Sequence, residues 1–345
     1  MGRFVISLDF EIHWGVRDQW ALADYGDNLI GVRAAIPAML DKFDEHGVKA
    51  TVATVGFLFF DKRDDLLAAL PARRPSYENA RMSPYHSLGE VGADEASDPY
   101  HFGRALLVEI GRRGHEVASH TFSHYFCLES GQTLDEFRAD LDAAKAAAAR
   151  GGFDLVSLVF PRNQYAAEHL SVCSEKGFRA FRGNPRSWLY AARRRDQESP
   201  VERALRLLDS YLDISGDHTT SDEYMRSSSP INVPGSRFLR PYSKRLRLLE
   251  PLRLRRIRNS MTRAAQRNET FHLWWHPHNF GVYTKENIAV LDAILRHHAV
   301  LRDRYGWKNA TMGQLADELS PRGERGAAAP GARQPAGAPA AKPAR

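Results

Sequence analysis

Short apolar runs alternate with longer segments of helical periodicity along most of this chain. Residues 3–8 (RFVISL) form an apolar run that ends at Asp9, and apolar spacing over 28–45 predicts a helix that ends before Gly47. A second β-rich run covers 48–56 (VKATVATVG). This order of strand, helix and strand is typical of parallel βα units.

The same order recurs toward the C-terminus. The pattern predicts strands over 116–119, 155–160, 178–182 and 270–275, and helices over 105–111, 133–150, 166–176 and 285–305. Thr133 and Glu136 have the spacing of a capping box, which favours a helix start there. Six or seven βα repeats predict an α/β fold, either a barrel or a doubly wound sheet. The chain contains no GxGxxG or GxxxxGK[ST] motif, so nothing indicates a nucleotide site.

Two segments interrupt this rhythm, and both are predicted to be loop insertions at the mouth of the fold. They cover 72–103, which is rich in Pro, Ser, Gly and His, and 185–268, which is longer. We expect one catalytic domain over residues 1–319. Residues 320–345 contain mostly Ala, Pro, Gly and Arg with no aromatic residue, which predicts a disordered tail.

The net charge of +6 comes from one segment rather than from the whole surface. Residues 237–267 contain eleven basic residues and one acidic residue, Glu250, so the rest of the chain carries a net −4. A nucleic-acid-binding domain more often spreads its basic face through the fold, and we expect no nucleic-acid partner. Residues 253–267 fit two interpretations: an interfacial helix that contacts an anionic membrane, or a helix packed on the fold with a solvated basic face.

The chain's start and its cysteine content indicate a cytoplasmic protein, membrane-peripheral if the first interpretation of 253–267 holds. The first residues lack a basic region followed by a long apolar stretch, and the longest apolar run, 52–60, is too short to span a bilayer. Two cysteines, Cys127 and Cys173, make no disulfide framework.

Polar residues with metal-binding or catalytic chemistry follow three predicted strands. They are Asp9 with Glu11, His120 with His124, and His276. Two imidazoles four residues apart can bind one metal ion, and a carboxylate completes a set of three ligands that leaves positions open. A second carboxylate and a further histidine can then act as base and acid. Each of these three groups of residues, taken alone, is more often structural than functional. Their repeated position at strand ends, in this order along the chain, favours one shared site.

These motifs resemble those of the NodB-homology polysaccharide deacetylases, which form carbohydrate esterase family 4. The chain is similar to a divergent member of that family. Ser7-Leu8-Asp9-Phe10-Glu11 resembles the first family motif, His120-Thr121-Phe122-Ser123-His124 the second, and Leu273-Trp274-Trp275-His276 the last. The resemblance implies a distorted (β/α)7-type barrel. It also implies Asp9 as general base, His276 as general acid, and Glu11, His120 and His124 as metal ligands. In the second-ranked interpretation of the first motif, Asp9 is the metal ligand.

The third family motif departs from its usual order, because here Pro161 precedes Arg162 and Asn163. The resemblance still implies that Arg162 pairs with Asp9 and holds it ionised. It places an oxyanion-stabilising N–H in the loop from Asn163 to Tyr165. Aromatic or polar residues beside the motifs are expected to bind sugar: Trp14, Asn163, Tyr165 and Trp275.

The implied function is metal-dependent hydrolysis of the N-acetyl amide of an amino sugar, in a cell-surface polysaccharide or its precursor. Two histidines and one carboxylate favour Zn²⁺, and Co²⁺, Fe²⁺ or Ni²⁺ are compatible. The alternatives are a deformylase or amidase acting on a lipid-linked amino sugar, and a catalytically silent barrel that binds glycan. A glycosidase ranks below these, because it needs two carboxylates across a sugar and no metal.

Overall fold

A computed structural model of the chain describes residues 1–191 and 199–320, so the predicted tail lies outside the described residues except for Ser320. Eight parallel strands form one sheet with the order β6-β5-β4-β3-β2-β1-β8-β7. The strands are β1 (Phe4–Phe10), β2 (Thr51–Thr54), β3 (Glu116–Ser119), β4 (Ser157–Val159), β5 (Ala180–Arg182), β6 (Ile231–Asn232), β7 (Arg237–Phe238) and β8 (Phe271–Trp275). Every residue of β1 is buried, so this strand lies at the centre of the core.

The last stave of the barrel is a single stretch of chain that contains both β6 and β7. Its first half pairs with β5 through Ala180 and Ile231, and its second half pairs with β8 through Arg237 and Leu273. Backbone hydrogen bonds continue between these pairs, from Val233 N to Phe181 O and from Ser236 N to His272 O. The sheet therefore curls into a seven-stave (β/α) barrel, which confirms the predicted fold class.

Helices cover the outside of the barrel. They are α1 (His13–Val16), α2 (Leu22–Glu45), α3 (Arg63–Ala68), α4 (Arg104–Arg112), α5 (Leu134–Arg150), α6 (Ala167–Glu175), α7 (Pro200–Asp209), α8 (Asp222–Met225), α9 (Glu250–Arg267), α10 (Thr284–Tyr305) and α11 (Met312–Leu319). Thr133 and Glu136 form the predicted capping box at the start of α5. Gly47 follows α2 with φ 63°, a conformation that favours glycine after a helix.

The structure corrects one predicted boundary. Residues 231–239 were expected to belong to a loop insertion, but they form the stave that closes the barrel. Their sequence, INVPGSRFL, contains a proline and a glycine, and each strand is two residues long. A strand this short has no periodicity to detect.

The basic segment is a helix packed on the barrel, which is the second of the two predicted interpretations. The apolar stripe of α9, including Ile257 and Met261, is buried, and α9 packs against α10. Arg253 and Arg256 are buried as well. The predicted membrane contact through the apolar stripe of 253–267 is therefore wrong. Within the described residues, every helix is too short or too polar to cross a bilayer.

Candidate metal and catalytic site

The carboxyl ends of the parallel strands bring the predicted functional residues to one end of the barrel. Asp9 lies near the end of β1, His120 directly follows β3, and His276 directly follows β8. Asp9, Glu11, His120 and His124 are all buried. This arrangement is typical of (β/α) barrels, in which catalytic residues lie at the carboxyl ends of the strands.

Glu11, His120 and His124 form a compact set of metal-type ligands. Glu11 Oε2 lies 3.2 Å from His120 Nε2 and 3.1 Å from His124 Nε2, and the ligand atoms of all three residues lie within 4.8 Å of one another. Glu11, His276 and His278 form an alternative set. The first set fits better, because both its histidines are buried and approach the same oxygen, whereas His276 Nε2 lies 3.6 Å from Glu11 Oε1.

The hydrogen bonding around the first set fits a bound cation. His120 Nδ1 lies 2.8 Å from the Val159 carbonyl oxygen, so a singly protonated ring donates from Nδ1 and presents the lone pair of Nε2 to Glu11. Burial lowers the pKa of His124 to about 4, although its hydrogen bond to Glu11 raises it, so His124 is neutral at neutral pH. Nitrogen lone pairs and a carboxylate then face each other, an arrangement that a divalent metal ion stabilises.

The loop that carries both histidines is held by a buried carboxylate, Asp140 on α5. Its oxygens accept hydrogen bonds from Phe122 N at 2.7 Å and Ser123 N at 3.1 Å, and from the Ser123 hydroxyl. Burial raises the pKa of Asp140 to about 6 against the effect of these hydrogen bonds. His124 adopts φ 57°, so the loop holds a conformation that non-glycine residues seldom adopt.

Asp9 forms a bidentate ion pair with Arg182, at the end of β5. Arg182 Nη1 lies 2.6 Å from Asp9 Oδ1, and Nη2 lies 2.7 Å from Oδ2. Burial raises the pKa of Asp9. The positive charge of Arg182, together with His120 and His276, lowers this pKa by a larger amount, so the net shift is downward. Asp9 is therefore held ionised, as a general base requires.

The predicted partner of Asp9 was Arg162, and the structure corrects this. Arg162 pairs with Asp18 and lies over the Phe126 ring, 4.2 Å from its centroid. Arg162 and Asn163 both have positive φ in the turn that follows β4. Arg182 occupies the position instead, because β5 ends with its side chain beside Ser7 and Asp9.

His276 lies over the two carboxylates and is the partly exposed member of the site. Its Nε2 is 3.8 Å from Asp9 Oδ2, and its side chain is 25% exposed. Its ring stacks on that of His278 with centroids 5.1 Å apart, and Phe238 and Trp274 contact it edge-on. A substrate can therefore reach His276 from solvent.

Two of the predicted sugar-binding residues are core residues. Trp14 is 1% exposed and packs on Phe57, and Trp275 is fully buried against Phe43 and Phe280. Neither ring is available to stack on a sugar. Tyr165 is half-buried between Phe160 and Phe181, whereas Asn163 binds Arg182 Nη2 at 3.1 Å and lines a cavity beside the site.

The predicted oxyanion-stabilising loop is largely engaged in its own turn. The N–H groups of Asn163 and Gln164 donate to the carbonyl oxygens of Phe160 and Pro161. The Tyr165 N–H is the remaining candidate donor in that loop.

Sequence reasoning also missed Arg182, His278 and Asp140. Arg182 could have been found, because it ends a predicted strand as Asp9 does.

The comparisons with known proteins agree with the observed fold. The family model for polysaccharide deacetylases matches residues 23–181. A structure from Mycobacterium smegmatis assigned as a polysaccharide deacetylase aligns with a TM-score of 0.55 at 16% identity, covering 92% of this chain and 90% of that one. Residues 23–181 of this chain therefore resemble the polysaccharide deacetylase family. A second structure with the same assignment, from Pseudomonas aeruginosa PAO1, aligns with a TM-score of 0.53 at 11% identity, covering 91% and 89%.

The boundaries of the family match limit what it says about the site. His120 and His124 lie within residues 23–181, whereas Asp9, Glu11, Arg182 and His276 lie outside this range. At identities of 16% and 11% the structural alignments establish the fold of this family and not a substrate. Among curated protein sequences, none matches this chain.

Proposed function

We propose that this protein is a metal-dependent deacetylase that hydrolyses the N-acetyl amide of an amino sugar. The observation that supports it best is the arrangement of Glu11, His120 and His124, whose ligand atoms approach one another beside a second, ionised carboxylate. A barrel that only binds glycan has no need to bury two carboxylates and two histidines together, since burying such groups without a partner is costly.

Glu11, His120 and His124 are the proposed ligands of the metal, with zinc the first choice. A metal bound there would polarise the amide carbonyl and lower the pKa of a water molecule. Asp9, held ionised by Arg182, accepts the proton of the attacking water. His276, open to solvent on the same side, donates a proton to the departing amine. Asn163 and Tyr165 remain proposed substrate contacts.

The first experiment measures metal content and acetate release together. Wild-type protein incubated with zinc is expected to bind about one ion per chain through its three ligands and to release acetate from N-acetylated chito-oligosaccharides. The double variant His120→Ala/His124→Ala should lose both, and a chelator should abolish release from the wild type. Zinc-loaded wild type that releases no acetate from any N-acetyl sugar would contradict the proposal.

A deformylase acting on an N-formyl amino sugar is the second candidate, because the same residues would serve it. Release of formate from an N-formyl sugar, at a higher kcat/KM than acetate from its N-acetyl counterpart, would favour it. A location in the cytoplasm stays a prediction.

We also propose that the protein contacts an anionic membrane, through residues that precede the predicted ones. The leucine surface, defined as Leu248, Leu249 and Leu252, is solvent-exposed, and Leu248 is 84% exposed. Four exposed basic residues flank it in the sequence: Lys244, Arg245, Arg247 and Arg255. Exposed leucines with exposed cations close by in the sequence suit the boundary between acyl chains and anionic headgroups.

A further inference from the structure

The Glu11 carboxylate belongs to two groups of metal-type ligands. Its Oε2 lies 3.2 and 3.1 Å from the Nε2 atoms of His120 and His124, the pair proposed to hold the metal ion. Its Oε1 lies 3.6 Å from His276 Nε2, and the ligand atoms of Glu11, His276 and His278 all lie within 4.8 Å of one another. A carboxylate placed in this way can bridge two metal ions, one at each oxygen.

The separation between His276 Nε2 and Glu11 Oε1 suits a shared metal ion better than a direct hydrogen bond. At 3.6 Å the two atoms are farther apart than in ordinary hydrogen bonds, which extend to about 3.2 Å. Two atoms bound to one tetrahedral zinc ion at about 2.0–2.1 Å are themselves roughly 3.3 Å apart. Asp9 Oδ2 lies 3.8 Å from the same nitrogen, so a cation here would also face a second carboxylate.

His278 supplies a buried nitrogen whose hydrogen bonding is incomplete. The residue is 3% exposed, and its Nδ1 has no hydrogen-bond partner in the part of the chain that the structure describes. Its ring stacks on that of His276 with 18° between the ring planes, so the two imidazoles are nearly parallel. A buried polar atom without a partner is costly, and an ion bound through this atom would remove that cost.

We infer that Glu11, His276 and His278 form a second metal site, which takes a divalent ion such as zinc after the site at His120 and His124 is filled. The second ion binds more weakly, because it shares the Glu11 carboxylate and is repelled by the first ion. It also occupies the nitrogen from which His276 is proposed to donate a proton. Excess zinc should therefore inhibit the enzyme, and this consequence, unlike the binding itself, rests on the proposed function.

The first test counts the zinc ions bound to the metal-free protein by equilibrium dialysis. The wild type should bind one ion tightly and a second at higher free zinc. His278→Gln should keep the first ion and bind the second at least roughly 10-fold more weakly, since even the loss of a group that orients a ligand costs this much. A second ion bound equally well by His278→Gln and wild type would overturn the inference.

His115→Gln is the matched control for this titration. His115 is buried as well, and among the described residues its Nε2 also has no hydrogen-bond partner. It directly precedes β3, so it lies at the opposite end of the barrel from His278. His115→Gln should bind both ions as the wild type does.

A second measurement needs no variant and stays decisive if His278→Gln does not fold. Cobalt is compatible with the same ligands, and two Co²⁺ ions bridged by Glu11 would be about 3.5–4 Å apart. At that distance the two ions couple magnetically, so the second equivalent of cobalt should reduce the electron paramagnetic resonance signal of the first. Signals that simply add would show that the second ion binds elsewhere, which contradicts the inference.

Acetate release separates failure of this inference from failure of the proposed function. The wild-type rate, relative to its value at one zinc per chain, should fall over the zinc range in which the second ion binds. Acetate release with only one ion bound at any zinc concentration would leave the deacetylase intact and reject the second site. Two coupled ions without acetate release at one zinc per chain would support the site and reject the deacetylase. Two coupled ions with an unchanged rate would support the site and contradict the acid role of His276.

Discussion

Gly15 lies against the carboxylate of Glu11, and this contact determines where the carboxylate sits. A Cβ added to Gly15 would lie 2.0 Å from Glu11 Cδ and 2.3 Å from Oε1. We predict that Gly15→Ala displaces the carboxylate and weakens zinc binding by roughly 10- to 100-fold, the usual range for groups that orient a ligand. Competition with a chromogenic chelator measures this affinity.

Gly89→Ala is the matched control, because a Cβ there meets no atom within 4 Å. It should leave zinc affinity at the wild-type value. Wild-type affinity in Gly15→Ala, with the fold intact by circular dichroism, would show that Glu11 does not bind the metal.

The ion pair between Asp9 and Arg182 predicts a pH effect. Arg182 lowers the pKa of Asp9, so Arg182→Gln should raise it and move the acidic limb of the kcat/KM profile upward by roughly one pH unit or more. Arg182→Gln also leaves a buried carboxylate unpaired, which destabilises proteins by about 3–5 kcal/mol, so Arg182→Lys is the variant to measure if Arg182→Gln unfolds.

Arg162→Lys provides the comparison for this profile. Its guanidinium pairs with Asp18 rather than Asp9, so the acidic limb should stay in place. A limb that moves with Arg162 and not with Arg182 would mean that Asp9 is not the base.

At the residue scale, the sequence located the charged residues of the site better than its apolar contacts. Asp9, Glu11, His120, His124 and His276 converge because each lies at or beyond the carboxyl end of a parallel strand, and that rule needs no structure. Trp14 and Trp275 belong to the core, and no local pattern says on which side of the backbone an aromatic ring will lie. Arg182 rather than Arg162 pairs with Asp9, and the positive φ of Arg162 and Asn163 was not predictable from the sequence.

At the element scale, long periodic helices were predictable and short strands were not. The predicted helix over 285–305 is observed as α10, Thr284–Tyr305, because its apolar periodicity extends over several turns. The stave over 231–239 takes its stability from pairing with β5 and β8, which lie distant in sequence. The strand propensity of residues 231–239 alone does not indicate such long-range pairing.

The leucine surface before α9 gives a prediction at this scale. Leu248→Ser combined with Leu252→Ser should reduce co-sedimentation with vesicles containing phosphatidylglycerol by at least about 10-fold, because burying each leucine contributes about 1.5–3 kcal/mol. Neutral phosphatidylcholine vesicles should bind the wild type weakly. Val300→Ser, an exposed apolar position on α10, is the control and should leave binding unchanged.

Equal binding of the wild type to neutral and anionic vesicles, or no binding to either, would contradict the proposed membrane contact.

At the scale of the whole molecule, buried neutral histidines make stability depend on pH. Burial lowers the pKa of His298 to about 4, although its hydrogen bond to Trp307 O raises it. The unfolded chain therefore binds a proton that the folded chain excludes, so the stability is present above about pH 6.5 and is lost as pH falls toward 4. His298→Gln should remove about 2 kcal/mol of the loss between pH 7.5 and pH 5.

Urea unfolding at pH 7.5 and pH 5 measures the difference, with the exposed His86→Gln as the control. A pH dependence that is identical in His298→Gln and wild type would show that His298 does not contribute.

The position of β1 has a consequence for the order in which the molecule folds. The strand that carries Asp9 is synthesised long before one of its two neighbours, β8, which begins at Phe271. On the ribosome, one edge of β1 stays unpaired until β8 has been translated. An apolar edge exposed for that long invites pairing with other chains. Newly made protein should therefore depend on chaperones more strongly than the finished barrel, and truncation before residue 271 should yield aggregates rather than a smaller barrel.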